Sequence, residues 1–362
     1  MSLSYLPDFL IYDTLRSVSL ASVMASAAGR KLWQRSFDSR KKGGPEVLQL
    51  EEVTLPPVAE NDVRFRVHAI GLNRAESMYR KGAYLQDYTW PSRVGYEASG
   101  VVEAVGKNVT GFAPGDAVSV VPGSISMASY GSYGEVADMP ANRLTRNPDW
   151  LLHTDAAAAW IQYVTSYVGI IEIANLKAGE TVMINAPPSS VGIAAIQIAK
   201  MLGAKPVAIT TSPEKSIVLL GLGGVAVFSP ADAELPKKIA DLSEGFGARV
   251  IFDAVGGPGA ALLQSAASVG AVHVIYGSLS DENTEMSAMT LYAKRMTVRG
   301  FQLFEATDDP FRREAAIDFV FKGLRSGALK PVISKTFPLA QIVESHRYLE
   351  SNQQIGKIVV TV

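Results

Sequence analysis

Residues 63–70, VRFRVHAI, alternate apolar and polar positions, as a strand with one buried face should. Short mixed runs at 30–37 and 47–50 flank KKGGP, a turn signal. Further on, EASGVVEAVGKNVTGFAPGDAVSVV reads as strand broken at Gly106, Gly111 and Pro114-Gly115-Asp116. The first 150 residues or so thus predict a β-rich unit with short turns. Near Asp155 the pattern changes, and DAAAAWIQYVTSYVGIIEIA reads as one helix, almost wholly apolar on one side. Strand and helix patterns then alternate: strands at 182–186, 206–210, 250–254 and 272–277, with a helix at 190–202. Alternation of this kind predicts a parallel sheet covered by helices on both faces, an α/β fold. The tail is mixed, with amphipathic helices near 310–325 and 339–350 and a last strand at 357–362.

Composition narrows the class. A chain of 362 residues, 48% hydrophobic and 19% charged, suits two packed domains and no disordered array. A net charge of −1 argues against nucleic acid or an anionic membrane as a partner. There is no cysteine, which excludes disulfides, a thiol nucleophile and every zinc site built on thiolates, and fits a cytoplasmic protein. Residues 1–24 carry Asp8, Asp13 and Arg16, so no uncharged apolar run there is long enough to span a membrane. We read them as a dispensable extension, with Met24 as the natural start. Four scattered histidines, His68, His153, His273 and His346, never fall at metal-ligand spacing and read as ordinary packed or edge residues. The sequon at Asn108 lacks a secretory context, and GSYG at 131–134 is no nucleophile elbow.

The chemistry concentrates between residues 181 and 215, where a strand, a tight turn, a helix and a second strand follow one another. Such a unit holds a dinucleotide when the turn lets backbone approach the pyrophosphate and the helix N-terminus offers free N–H groups. The turn here reads Ala186-Pro187-Pro188-Ser189-Ser190-Val191-Gly192. Ser189 and Ser190 can donate to phosphate and cap the helix, and Gly192 allows close helix–strand packing. The prolines lack an N–H, a loss the first turn tolerates. At the end of the second strand stand Thr210-Thr211-Ser212 and Lys215. Hydroxyls and an ammonium suit a 2′-phosphate, so NADP(H) is favoured over NAD(H), with Glu214 the one opposing residue.

Several blocks in order resemble the zinc-independent quinone oxidoreductase branch of the medium-chain dehydrogenase/reductase superfamily: GGPEVLQLEE, GLNRAESMYRKGAY, PSRVGYEASGVVEAVGKNVTGFAPGDAV, VGIAAIQIAKMLGA, VIFDAVGG and GKIVVTV. Together they run from about Gly44 to Val362. The resemblance implies a GroES-like β-rich catalytic domain, residues 25–160 and 301–362, around a Rossmann doubly wound parallel-sheet cofactor domain, residues 161–300. It implies Asn73 beside the nicotinamide and substrate, orienting the substrate carbonyl with nearby backbone N–H groups, and Tyr84 or a water as proton donor. It also implies Thr165 and Gly277 near the nicotinamide, Ser189, Ser190, Val191 and Gly192 at the pyrophosphate, and Thr211, Ser212 and Lys215 at the 2′-phosphate. A tyrosine that assists the 2′-phosphate in relatives is replaced here by Pro230. Zinc-dependent cousins read GHE where this chain has Gly95-Tyr96-Glu97 and need a cysteine near Asn73, so no metal is expected.

The expected activity is hydride transfer from NADPH to a small apolar electrophile, a quinone or an activated C=C. The stretch SMASYGSYGE, residues 126–135, with Tyr84, Tyr88, Trp90, Trp160 and Phe304, is the candidate lining of an apolar cleft. The family further implies a homodimer pairing near residues 297–304. Two alternatives stand beside this reading: an NADPH-binding sensor without turnover, and an alcohol dehydrogenase, which would carry metal.

Overall fold

Six strands alternate with helices and pair in parallel in the second half of the chain: β8 (Thr181–Asn185), β9 (Lys205–Ile209), β10 (Ala226–Phe228), β11 (Ala248–Asp253), β12 (Ala267–Ile275) and β13 (Thr297–Gly300). Their order is β10-β9-β8-β11-β12-β13, the doubly wound arrangement in which strand order reverses between β8 and β11. Strands buried on both faces read as apolar runs, and β8 is buried at all five positions. The molecule is described by a computed structural model that covers the backbone of residues 33–39 and all of 41–362. The proposed extension, residues 1–24, lies outside the described residues.

A second sheet is built from both halves of the chain. β3 (Asp62–Gly71), β4 (Ala98–Val105), β5 (Ala117–Val120) and β7 (Leu144–Arg146) come early, β14 (Ile333–Pro338) and β15 (Lys357–Thr361) last. Their order is β14-β15-β3-β4-β5-β7, and β6 (Val136–Pro140) also pairs with β3. β1 (Trp33–Ser39) and β2 (Leu48–Thr54) form a separate antiparallel pair. β3 was expected to be half-buried, yet eight of its ten positions are buried. Its faces are covered by two apolar clusters, one with Val63, Phe65, Val67 and Ile70 and one in which Ala69 meets Ala157 and Ala158, and Arg64 is buried in an ion pair with Asp138.

Three helices matter for the site: α1 (Arg74–Lys81), α2 (Trp160–Ser166) and α3 (Ser190–Met201). The single helix expected over 155–174 is interrupted. A short turn of helix at His153–Ala156 stops, α2 begins at Trp160, and Tyr167–Ile173 widens into a π-helix. The cause is non-local: Oε1 of Glu97 accepts the Trp160 N–H at 2.6 Å and the Ile161 N–H at 3.2 Å, capping a new helix start with a carboxylate.

Helix α4 (Pro310–Ser326) buries Ala316, Ile317 and Val320 in the same apolar cluster as Trp160, Val182 and Ile196. Helix α4 thus shares the core of the parallel-sheet half, while Phe304, just before it, packs on Tyr96 of the β-rich half. Trp160 is fully buried and meets Phe321 edge-on at 5.2 Å, so it belongs to this core and lines no cleft.

Candidate active site

Ligands of open α/β sheets bind outside the carboxyl ends of the strands where the order reverses. Here Asn185, ending β8, donates from Nδ2 to Oδ1 of Asp253, ending β11, at 2.9 Å. Burial pushes the Asp253 carboxyl up, but His273 at 3.0 Å and the N–H groups of Val255 and Gly256 outweigh it and hold the group below the ordinary aspartate value. Asn185 Oδ1 in turn accepts the Ala186 N–H at 3.0 Å. Ala186 lies in the left-handed region, φ 53°, which costs a non-glycine residue about 1–2 kcal/mol. That strain sits where the chain swings from β8 into α3.

The turn ends at a built helix cap. Ser189 Oγ accepts the Gly192 N–H at 3.0 Å. The first-turn N–H groups of Ser190 and Val191 have no acceptor within the helix by geometry. A Cβ on Gly192 would lie 2.6 Å from Ala186 O and Pro187 Cα, so only glycine lets α3 start this close to the turn. Thr165 is buried near the end of α2, and its neighbour Ser166 donates to Val191 O at 3.0 Å. The helix carrying Thr165 is thereby pinned to the first turn of α3. Gly277 follows β12 directly after Tyr276, whose ring stacks on Phe252 at 4.1 Å and lies against Ser189.

At the ends of β9 and β10 a cavity of about 290 Å³ is lined by Thr210, Thr211, Pro213, Ser216 and Phe228 among others. Phe228 supplies the aromatic wall there, and Pro230 is not part of it. Ser212 donates its N–H to Thr210 Oγ1 at 3.0 Å. Lys215 reaches across to the β-rich domain, donating to the carbonyls of Asn352 at 2.8 Å and Gln354 at 3.3 Å.

The β-rich domain meets the turn through its last strand. Gly356 donates its N–H to Pro188 O at 2.8 Å, and Gly356 and Ser189 form a bridge. The next residue, Lys357, is 1% exposed and donates from Nζ to Asn73 Oδ1 and to Glu97 Oε2, both at 2.6 Å. Asn73 Nδ2 donates to Gly71 O at 3.1 Å, Glu76 Oε1 at 3.2 Å and Glu97 Oε2 at 3.3 Å, so its amide protons are engaged inside the cluster. Glu76 also accepts the N–H of Asn73 and that of Tyr96. Beyond it, the Tyr133 hydroxyl lies 3.4 Å from Glu76 Oε2 and 3.0 Å from His346 Nε2.

Burial dominates the proton affinities of this cluster. It raises the Glu76 carboxyl to about 7 against the pull of Lys357. Burial, helped by the Arg80 charge, pushes His346 down to about 3. Tyr84 is half-buried and tilted against Tyr96, with ring centroids 6.2 Å apart. Burial keeps its phenol protonated beyond the ordinary tyrosine range, partly offset by a hydrogen bond with Tyr96. Tyr96 packs on Phe304 at 5.5 Å, so Tyr84, Tyr96 and Phe304 form one aromatic wall. Tyr88 is buried against Tyr79 and Trp90.

Lys357 and Glu76 were not singled out from the sequence, His346 read as an ordinary packed residue, and Tyr133 read as part of an apolar cleft. Each stands in an apolar or ordinary pattern, and only the pairing of distant strands brings them together. The one available signal was the lysine that opens an otherwise apolar strand, KIVVT.

Residues 59–149 match the alcohol dehydrogenase GroES-like domain family and residues 231–360 the zinc-binding dehydrogenase family. Quinone oxidoreductase of Homo sapiens is 31% identical over 336 residues, 92% of this chain and 99% of that protein. The solved structure of Escherichia coli quinone oxidoreductase complexed with NADPH superposes with a TM-score of 0.82 at 26% identity, covering 91% of this chain and all of that one. An NAD-dependent alcohol dehydrogenase superposes with a TM-score of 0.83 at 28% identity, over 91% of this chain and 99% of that one. The zinc in the second family's description does not fit these residues. The chain has no cysteine, no metal-holding group of His, Asp and Glu occurs among the described residues, and an ammonium sits between Glu97 and Asn73.

Proposed function

The chain belongs to the quinone oxidoreductase branch of the medium-chain dehydrogenase/reductase superfamily, and from that premise we propose that it uses NADPH to reduce a quinone or an α,β-unsaturated carbonyl compound without a metal. It is an oxidoreductase that binds NADP(H). One observation carries the proposal. The capped phosphate turn at Ser189 is bonded to Gly356, and the next residue, Lys357, places its ammonium between Asn73 and Glu97 in a buried cluster.

Ser189, Ser190 and Val191 would receive the pyrophosphate, with Gly192 keeping the helix end close. Thr211, Ser212 and Lys215 would hold the 2′-phosphate beside the cavity at β9 and β10, Lys215 leaving its carbonyl partners to do so. The cofactor supplies a hydride. Thr165, Gly277 and Asn73 shape the nicotinamide end, Asn73 through its fixed amide, since its protons are engaged elsewhere. The substrate oxygen is left to backbone N–H groups. Tyr84, protonated at neutral pH, delivers the proton that completes reduction of an activated C=C. A quinone or enone spreads the incoming charge onto its own oxygen, so positioning in a dry cleft supplies most of what is needed.

The edge strand β13, exposed at three of its four positions, is the proposed contact of a homodimer. No described helix is long and apolar enough to cross a membrane.

The test is NADPH and NADH oxidation against a panel of quinones, 2-enones and simple ketones, with metal analysis of the purified protein. Quinone or enone turnover that prefers NADPH is expected. Tight NADPH binding with no oxidation of any acceptor would instead support a sensor, and ketone reduction tied to bound zinc an alcohol dehydrogenase.

A further inference from the structure

We propose that Lys357 and Glu97 form an internal ionic latch that positions the nicotinamide pocket, making them positioning residues for hydride transfer. This rests on the NADPH reading above.

Both groups are buried, Glu97 at 0% and Lys357 at 1% exposure. Desolvating a carboxylate and an ammonium together is costly, and apolar replacements of such pairs are often neutral or stabilising. Fold stability is thus a weak reason for the pair to be there. What the pair touches supplies a better one. Lys357 follows Gly356, which is bonded to the phosphate turn, so its backbone is tied to the cofactor side. Its Nζ donates to Asn73 Oδ1 and fixes which way that amide points, because the oxygen must face the ammonium. With the oxygen so placed, Nδ2 can only turn to Gly71, Glu76 and Glu97.

Glu97 extends the latch to a third element. Oε2 takes the ammonium, and Oε1 caps the start of α2 through Trp160 and Ile161. One turn and a half later α2 presents Thr165, and its next residue, Ser166, is bonded to the first turn of α3. Asn73 and Thr165, two of the three residues expected around the nicotinamide end, and the phosphate turn therefore share one ion pair. The glycine before this cluster is set first by packing: a Cβ on Gly71 would lie 2.0 Å from Ala157 O, ahead of α2, and 2.8 Å from Lys357 Cε.

The latch makes a prediction that a merely structural pair does not. Lys357→Met alone leaves the Glu97 carboxylate buried and unpaired, and the melting temperature should fall. Lys357→Met combined with Glu97→Gln removes both charges, and the melting temperature should return close to that of wild type. Activity should not return with it. Freed of the ammonium, Asn73 can flip its amide and the start of α2 loses its anionic cap. A displacement near 1 Å costs on the order of 100-fold in rate.

The assay is single-turnover oxidation of NADPH by 9,10-phenanthrenequinone, with 4-deuterated NADPH to show that hydride transfer is the step observed. We expect the double variant to bind NADPH within about threefold of wild type while hydride transfer falls about 30- to 100-fold, a kcat loss without a matching KM change. If the double variant fails to fold, Glu97→Asp decides instead. It keeps both charges but draws the carboxylate one methylene away from α2, and the same selective loss is expected. Wild-type hydride transfer in the folded double variant, or in Glu97→Asp where only that one folds, overturns the latch while leaving the proposed function standing. A wild-type protein that turns over no acceptor overturns the proposed function, and the latch with it.

Discussion

Glu76 and His346 lie on either side of the Tyr133 hydroxyl, both fully buried, and burial drives their proton affinities in opposite directions. Folded, Glu76 keeps its proton up to about pH 7 against an ordinary value of 4.5, while His346 declines one down to about 3 against 6.5. A tenfold change in proton affinity is worth about 1.4 kcal/mol. For Glu76 the folded state holds the extra proton, so its contribution to stability is full below pH 4.5 and is lost as pH rises through about 7. For His346 the unfolded state holds the extra proton, so its contribution is full above pH 6.5 and is lost as pH falls towards about 3. Between pH 7 and pH 4.5 each therefore moves stability by about 3 kcal/mol, with opposite signs, and the two nearly cancel. Glu76→Gln cannot titrate and removes one side of that balance. Relative to wild type, the variant should lose about 3 kcal/mol more on acidification across this interval. Urea unfolding followed by tryptophan fluorescence and circular dichroism, at half-unit pH steps, reads the difference. A gap between variant and wild type that stays constant from pH 7 to 4.5 would refute the reasoning. It would mean that the attraction of Lys357, and not burial, sets the state of Glu76.

Tyr84→Phe should slow enone reduction at least tenfold while the Kd for NADPH stays within about twofold, since only the proton donor is lost. Equal single-turnover rates would remove Tyr84 from the mechanism. Gly192→Ala places a Cβ 2.6 Å from backbone atoms of Ala186 and Pro187, and overpacking of that kind costs about 1–3 kcal/mol. A lower melting temperature with weaker NADPH binding is expected, and an unchanged pair of values would contradict the close approach. Lys215→Ala should weaken NADPH about tenfold, roughly one charge-assisted hydrogen bond, and leave NADH unchanged. Equal losses for the two cofactors in fluorescence titrations would show that Lys215 serves the contact with Asn352 and Gln354 instead.

The parallel sheet was legible because its central strands are buried on both faces and so stand out as short apolar runs. β8 and β9 fall within one residue of the positions expected from pattern alone, and α3 ends one residue early. Short strands at the sheet edge carry no such signal: β10 has three residues and β13 four. The interrupted helix shows a different limit. Alanine is the best helix former, so Ala156 to Ala159 read locally as helix interior. The interruption is imposed by Glu97, some 60 positions earlier, which no local pattern encodes. Likewise the apolar stripe of α4 was visible, but not that it packs on α2 in the core of the parallel-sheet half.

The phosphate turn could be read because its chemistry is sequential: strand, turn, capping serine and glycine lie within a dozen residues. The cluster around Asn73 could not, because it is an outcome of register. β15 pairs antiparallel with β3, matching Val359 to Gly71, and this alone brings Lys357 beside Asn73 across most of the chain. In the sequence, Lys357 is one lysine opening an apolar strand, a position where an ordinary side chain reaches solvent. Glu97 drew notice only as the lone residue left of a metal motif. Paired, the two change the meaning of the missing metal ligands. The slot between Glu97 and Asn73 already contains a cation, delivered by the chain's own last strand and tied through Gly356 to the phosphate turn. A metal ion can be exchanged, but a lysine held by β-sheet register cannot. The charge at this point is therefore linked to the domain arrangement that brings the cofactor turn and the nicotinamide pocket together.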